Sequence, residues 1–148
     1  MFKVIIAGGR KFNNYSLLKE KCDNILSNID DRIAIVCGCA NGADLLGEKY
    51  AKEKDYIVHY YHANWRLYGK SAGMIRNKEM AENAEALIAF WDGESKGTKA
   101  MIEIAKNKNL KVRTLGFQLK DGGALPLRST PVTVLFPIEI LLMHLKLK

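Results

Sequence analysis

Three glycine-bearing turns hold the residues of this sequence best suited to chemistry. Gly8-Gly9-Arg10 follows one apolar run, Gly38-Cys39-Ala40-Asn41-Gly42-Ala43-Asp44 a second, and Asp92-Gly93-Glu94-Ser95-Lys96-Gly97-Thr98 a third. Glycine admits positive φ and lets a ligand come close to the backbone. A helix opening after such a turn presents free N–H groups and the positive end of its dipole, which together form an anion site. Ser95 and Thr98 add hydroxyl donors, Lys96 adds charge, and Arg10 adds a guanidinium able to grip a phosphate with two donors. None of the turns is a dinucleotide G-x-G-x-x-G, and none is a P-loop, because no Gly-Lys-Ser/Thr follows. One such turn is an ordinary strand-to-helix connection, but three of them point to a phosphorylated ligand.

Two carboxylates keep two readings each. Asp44 falls in the first turn of a helix, where it either complements the dipole or meets the ligand. Asp92 ends a strand, and either accepts from ribose hydroxyls or bonds its own backbone. Asn64, Trp65, Tyr68, Lys70 and Ser71 form a loop that leads to Arg76 and Asn77. Aromatic and basic side chains interleaved in a loop suit stacking on a base and neutralising phosphate; the alternative is that Trp65 and Tyr68 cap the sheet edge. Arg76, early in a helix that returns to the third turn, is the better candidate. Valine at Gly42 or Gly97 is expected to abolish binding with the fold intact.

The elements that position these turns read as alternating strand and helix. Lys3–Ala7, Ile33–Cys37, Tyr56–Tyr61, Ala86–Trp91 and Lys111–Leu115 are short apolar runs, the signature of strands buried on both faces. Between them, Leu18, Cys22, Ile25, Leu26 and Ile29 form one helical stripe. A second helix opens near Asn41, a polar one spans roughly 74–84, and a fourth opens at Gly97-Thr98. Crossovers of this kind predict an α/β fold: a Rossmann-like, doubly wound parallel sheet of about five strands with helices on both faces. Ligands of such sheets collect beyond the carboxyl ends of the strands, where the three turns lie. Residues 1–118 read as the domain and 119–148 as a C-terminal appendage of unknown role, broken by Pro126, Pro131 and Pro137. Within it, 132–136 suggests a strand and 138–147 an amphipathic helix whose apolar residues need cover.

Composition sets the outer bounds. The 148 residues are 48% hydrophobic and 26% charged, a balance that gives a buried core rather than disorder. The net charge of +7 favours anionic partners, nucleotides first and nucleic acid second. Only Trp65, Tyr68, Tyr60 and Tyr61 would serve a single strand as stacking platforms. No secretory signal opens the chain and no apolar run approaches the ~20 residues of a membrane span, so the expected location is the cytoplasm, without membrane partners. Cys22, Cys37 and Cys39 fit no disulfide framework, and His59, His62 and His144 show no matching metal spacing, so neither metal nor cofactor is expected.

As a set, these motifs resemble the SLOG superfamily, the nucleotide-binding Rossmannoid group named after the SMF/DprA and LOG proteins, and within it the YspA/YpsA-related branch. The pieces that match are Val4–Arg10 with Phe12, Gly38-x-x-x-Gly42-Ala43-Asp44, Ile75-Arg76-Asn77 with Met80, and Ala86–Gly93 followed by Ser95, Gly97 and Thr98. They cover about residues 2–117. The resemblance implies glycine turns that bind nucleotide-derived ligands such as ADP-ribose-type signals, which the protein would sense, carry or sequester, and it favours a homo-oligomer. The SMF/DprA arm implies nucleic-acid binding as an alternative. The LOG branch implies another, cleavage of nucleoside monophosphates at the N-glycosidic bond, through an arginine that Arg76 could match and a glutamate in P-G-G-x-G-T-x-x-E. Here Met101 stands at the glutamate position, and Trp91-Asp92-Gly93 replaces the proline-glycine start. Glu103, two residues on, is rotated by about 200° around a helix. Cleavage by that route is therefore not expected.

Overall fold

The computed structural model describes residues 1–127 and the backbone of Thr133 and Val134. Its elements are β1 (Phe2–Gly8), α1 (Tyr15–Leu26), β2 (Ile33–Cys37), α2 (Ala43–Glu53), β3 (Ile57–Tyr60), the single turn α3 (Trp65–Tyr68), a 3₁₀ turn (Gly69–Ser71), α4 (Ala72–Glu82), β4 (Ala86–Trp91), α5 (Lys96–Asn107), β5 (Lys111–Lys120), β6 (Gly123–Pro126) and β7 (Thr133–Val134). The sheet order is β3-β2-β1-β4-β5-β6, with β7 also on β5. Strands β1 to β5 pair in parallel, while β6 and β7 run antiparallel to β5. The expected parallel α/β sheet of about five strands is therefore present, and the chain beyond it adds antiparallel edges.

Alternation within each strand explains why both faces are covered. Val4, Ile6, Ile35, Ile88 and Phe90 point to one side, where they meet Leu17, Leu18, Cys22 and Leu26 of α1 and Tyr50 and Ala51 of α2. Ile5, Ala7, Val36, Leu87 and Ala89 point to the other, against Met80 and Ala81 of α4 and Met101, Ile102, Ile104 and Ala105 of α5. Period-2 side chains between two helix layers make β1, β2 and β4 nearly continuous apolar runs, as double burial requires, whereas β3, expected to be buried on both faces, is an edge strand with Ile57 and Tyr60 exposed.

The edge beyond β5 is stitched to the front of the chain. β5 runs on past residue 118 to Lys120, and Ala124 of β6 is buried in the first core. Asn13 Nδ2 donates to the Gly122 carbonyl (2.8 Å), and Asn13 Oδ1 accepts from the Ala124 N–H (3.0 Å). Asn14 Nδ2 donates to the Ala124 carbonyl (2.8 Å) while its Oδ1 caps α1 by accepting from Leu17 N–H (3.0 Å). Asn14→Ala removes a cap and a tertiary bond together, so a loss of about 1–2 kcal/mol is expected in urea unfolding. An unchanged midpoint would show the hairpin to be held elsewhere. Of the expected tail elements, the 132–136 strand is described only at Thr133–Val134, and the 138–147 helix lies outside the described residues, as does His144.

Candidate functional site

β1 lies between β2 and β4, so the chain winds outward to β2 and β3 on one side and to β4 and β5 on the other. The crevice beyond β1 and β4 is the topological switch point, where helices leave toward opposite faces and open a gap. All three glycine turns reach its rim.

The first turn is fixed by its neighbours. Gly9 N–H donates to the Phe90 carbonyl (3.0 Å), and the Gly9 carbonyl accepts from Phe12 N–H (3.2 Å) and Ala43 N–H (3.3 Å). The Phe12 ring is buried with its centroid 4.8 Å from that of Phe90 and 5.0 Å from that of Phe117. Arg10, which follows at once, is left exposed.

The second turn gathers charge around a glycine. Gly38 is buried, and a Cβ there would lie 2.8 Å from Asp44 Oδ2 and 3.1 Å from Arg76 Nη1. Only hydrogen fits between them. The Arg76 guanidinium donates to the Gly38 carbonyl through Nη1 and to Asn77 Oδ1 through Nε (2.9 Å). Asp44 is 5% exposed and accepts from Ala40 N–H (3.3 Å). Burial raises its pKa to about 6, against the pull of the Ala40 and Gly8 N–H groups and of Arg76 and Arg10. Cys37 and Cys22 are buried thiols; Cys39, partly exposed, has φ 63° and its Sγ 3.9 Å from His62 Nε2.

The third turn commits one oxygen of Asp92 to its own backbone and leaves the residue on the wall of a cavity. Asp92 Oδ1 accepts from Glu94 N–H (2.9 Å) and Ser95 N–H (2.8 Å), the arrangement of a turn aspartate bonding its own backbone. Burial works to raise its pKa, but the Ser95 and Glu94 N–H groups prevail and hold it below the usual range. Ser95 caps α5: its Oγ accepts from Thr98 N–H (3.4 Å) and from Thr98 Oγ1 (3.1 Å). Lys96 and Gly97 supply the first N–H groups of α5, which have no intrahelical acceptor.

Three adjoining cavities share Arg10. The central one, about 210 Å³, is lined by Gly8, Arg10, Asp44, Arg76, Asn77, Ser95, Gly97 and Thr98 among the expected residues. Toward β3 lies a cavity of about 280 Å³ that includes Arg10, Gly38, Asn41 and Arg76. Toward β5 lies one of about 470 Å³ that includes Gly9, Arg10, Asp92, Ser95 and Gly97. Gly42, Ala43, Gly93 and Lys96 line none of the three. Ala43 is fully buried and its N–H is taken by the Gly9 carbonyl, so the first N–H of α2 points at the first turn, and α2 reaches the central cavity through the Asp44 side chain. The sequence led us to expect valine at Gly42 to abolish binding with the fold intact, but a Cβ there would collide with the backbone carbonyl oxygens of Gly9 and Arg10, so that substitution probes the fold instead.

Sequence reasoning left Trp65, Lys70, Met74, Met80 and Met101 out of the expected site, yet all five line the central cavity. The aromatic and basic loop was a signal for the first two. Met80 is among the residues that carry the resemblance and Met101 stands at the LOG glutamate position, whereas Met74 gave no signal, since a methionine on a helix is also what an ordinary core contact looks like. Met101 lines the cavity where the LOG pattern has its glutamate, and Glu103 is exposed and lines none of the three cavities.

Residues 2–68 match the model of the YspA, cpYpsA-related SLOG family. Over 122 residues the chain is 28% identical to the Gene 61 protein of Mycobacterium phage D29, covering 78% of this chain and 98% of that protein. Its fold is similar to that of DNA processing protein A (DprA) from Streptococcus pneumoniae, with a TM-score of 0.64 and 18% identity over 82% of this chain. The chain spans about half of DprA (53%), and the likeness is one of fold. Among the described residues no helix is long and apolar enough to cross a membrane.

Proposed function

We propose, starting from the match of residues 2–68 to the YspA, cpYpsA-related SLOG family, that this chain binds a nucleotide-derived phosphorylated ligand of the ADP-ribose type in the crevice between β1 and β4, and thereby senses, carries or sequesters it. The observation that carries this reading is the central cavity, where Arg10, Arg76 and the open N-terminus of α5 meet one space of about 210 Å³. Two guanidiniums and a helix dipole there favour a phosphate or diphosphate. Asp44, at the back of the same cavity, is the acceptor for ribose hydroxyls. Asp92 has one oxygen committed to its own turn and serves the neighbouring space.

Binding is favoured over cleavage. A glycosidic transition state needs a carboxylate beside the anomeric carbon. Met101 fills the position from which the LOG pattern would supply one.

The test is native mass spectrometry of the purified protein with AMP, NAD and ADP-ribose, followed by calorimetry. Retention of an intact nucleotide supports the reading; free base in solution supports cleavage instead; no added mass with any of the three rejects the site. Arg10→Met provides a sharper check, because Arg10 is exposed and borders all three cavities. A charge-assisted bond to phosphate contributes roughly 1.5–3 kcal/mol, so affinity should fall roughly tenfold or more with thermal stability unchanged.

A further inference from the structure

The cavity toward β3 differs from its neighbours in having an aromatic wall. Trp65 borders both this space of about 280 Å³ and the central cavity, and its side chain stays 53% exposed. An exposed indole beside two arginines is not serving the core. The ring is nevertheless held in place. Asn64 Oδ1 accepts from Leu67 N–H (3.1 Å) to cap α3, and Gly69 N–H closes the turn on the Trp65 carbonyl. A Cβ at Gly73 would lie 3.4 Å from Trp65 Cη2, so the indole rests on α4 where that helix has no side chain. His62 lines the same cavity, its ring 9° from parallel with that of Tyr60, and Asn41 and Cys39 bring polar atoms to it.

We infer that this cavity is a nucleobase subsite, with the Trp65 indole as its stacking platform and Gly73 as the seat that holds the platform flat. The inference rests on the phosphate-binding reading above and fixes the direction of the ligand. The base lies toward β3, the phosphates lie at Arg10 and Arg76, and any second group extends toward Asp92. The chemistry is that of stacking on an aromatic face, which every base offers, with polar groups at the rim to read its edge. A space near 300 Å³ is at the small end of ligand pockets and suits a single base rather than a whole nucleotide.

Two probes separate this subsite from the phosphate site: AMP, and ribose 5-phosphate, which lacks the base. By calorimetry, Trp65→Ala should weaken AMP by about 5- to 150-fold, the range that stacking on one aromatic covers, and ribose 5-phosphate by less than about twofold. Trp65→Phe should restore part of the AMP affinity. Gly73→Leu, which pushes the indole off its seat without removing it, should reproduce the selective loss. In the wild type AMP should quench tryptophan emission and ribose 5-phosphate should not; Trp65→Phe, which leaves Trp91 in place, should lose the quenching. Equal weakening of both probes by Trp65→Ala, or AMP affinity unmoved by it, would overturn the subsite while leaving the phosphate site standing. Failure of the wild type to bind either probe would overturn the phosphate reading and this one with it.

Discussion

Gly42→Ala should leave little folded protein, whereas Gly97→Val should fold normally and lose its ligand. Gly42 sits at φ 82°, ψ −127° before α2, a region that side chains rarely enter. A Cβ there would lie 2.2 Å from the Gly9 carbonyl oxygen and 2.6 Å from that of Arg10. Both are backbone atoms, and the Gly9 carbonyl is already bonded to Phe12 and Ala43, so no flexible side chain can move aside. Backbone strain and overpacking together should cost more than about 4 kcal/mol, a large part of the 5–15 kcal/mol that holds a typical domain. The thermal midpoint should fall by on the order of 15 °C or more. Gly97 is the opposite case. It lies in the first turn of α5, and a Cβ there would meet no atom within 4 Å. Valine should change stability by less than about 1 kcal/mol, since glycine is already the poorer helix former. Its methyl groups would stand in the central cavity beside the first N–H groups of α5, so affinity for AMP or ADP-ribose should drop at least roughly tenfold. Circular dichroism and calorimetry on the two variants decide the matter. A stable Gly42→Ala would refute the packing account, and undiminished binding by Gly97→Val would remove α5 from the site.

The contrast between these two glycines also marks how far the sequence could be read. Both follow a strand and open a helix, and nothing local separates them. Only the fold shows that the start of α2 turns its N–H onto the Gly9 carbonyl while the start of α5 faces the cavity. The strands were legible because double burial leaves unbroken apolar runs, as in Ile33–Cys37 and Ala86–Trp91, whose bounds the structure reproduces. The turns were legible because glycine clusters stop those runs. The meeting of Asp44 and Arg76 around Gly38 was not, because it depends on how α4 crosses the edge of the sheet. The same is true of Met74. Spacing on a helix shows that residues share a face but not whether that face meets a core or a cleft. Asp92 kept two readings for a related reason: a carboxylate after a strand suits a sugar and its own turn equally, and its hydrogen bonds commit only Oδ1 to the turn.

Asp44→Asn should make the protein more stable at neutral pH and worse at its proposed task. Buried at the back of the cavity, Asp44 has its pKa raised to about 6, whereas an unfolded aspartate titrates near 3.9. The folded state therefore binds a proton more tightly than the unfolded one. The resulting stability is fully present below about pH 4, declines as pH rises from about 4 to about 6, and is absent above that. Two pH units correspond to about 3 kcal/mol, which the ionised carboxylate costs the fold at pH 8. Asparagine has nearly the same shape, keeps an oxygen to accept from Ala40 N–H, and carries no charge to desolvate. Asp44→Asn, whose amide has no second oxygen to accept from the Gly8 N–H, should thus gain up to about 2 kcal/mol at pH 8, gain nothing at pH 4, and lack the decline between pH 4 and 6 expected of the wild type in urea titrations. A binding role accounts for keeping a carboxylate that costs this much, since stability and function commonly trade against each other at ligand sites. An ionised carboxylate accepts from sugar hydroxyls more strongly than an amide does, so the same variant should bind ADP-ribose roughly tenfold more weakly while inorganic pyrophosphate binds as well or better. A variant that is stabilised yet binds ADP-ribose undiminished would assign Asp44 to the architecture of the second turn alone. A variant that is not stabilised at pH 8 would mean that Asp44 is better solvated or better paired with Arg76 than its burial implies.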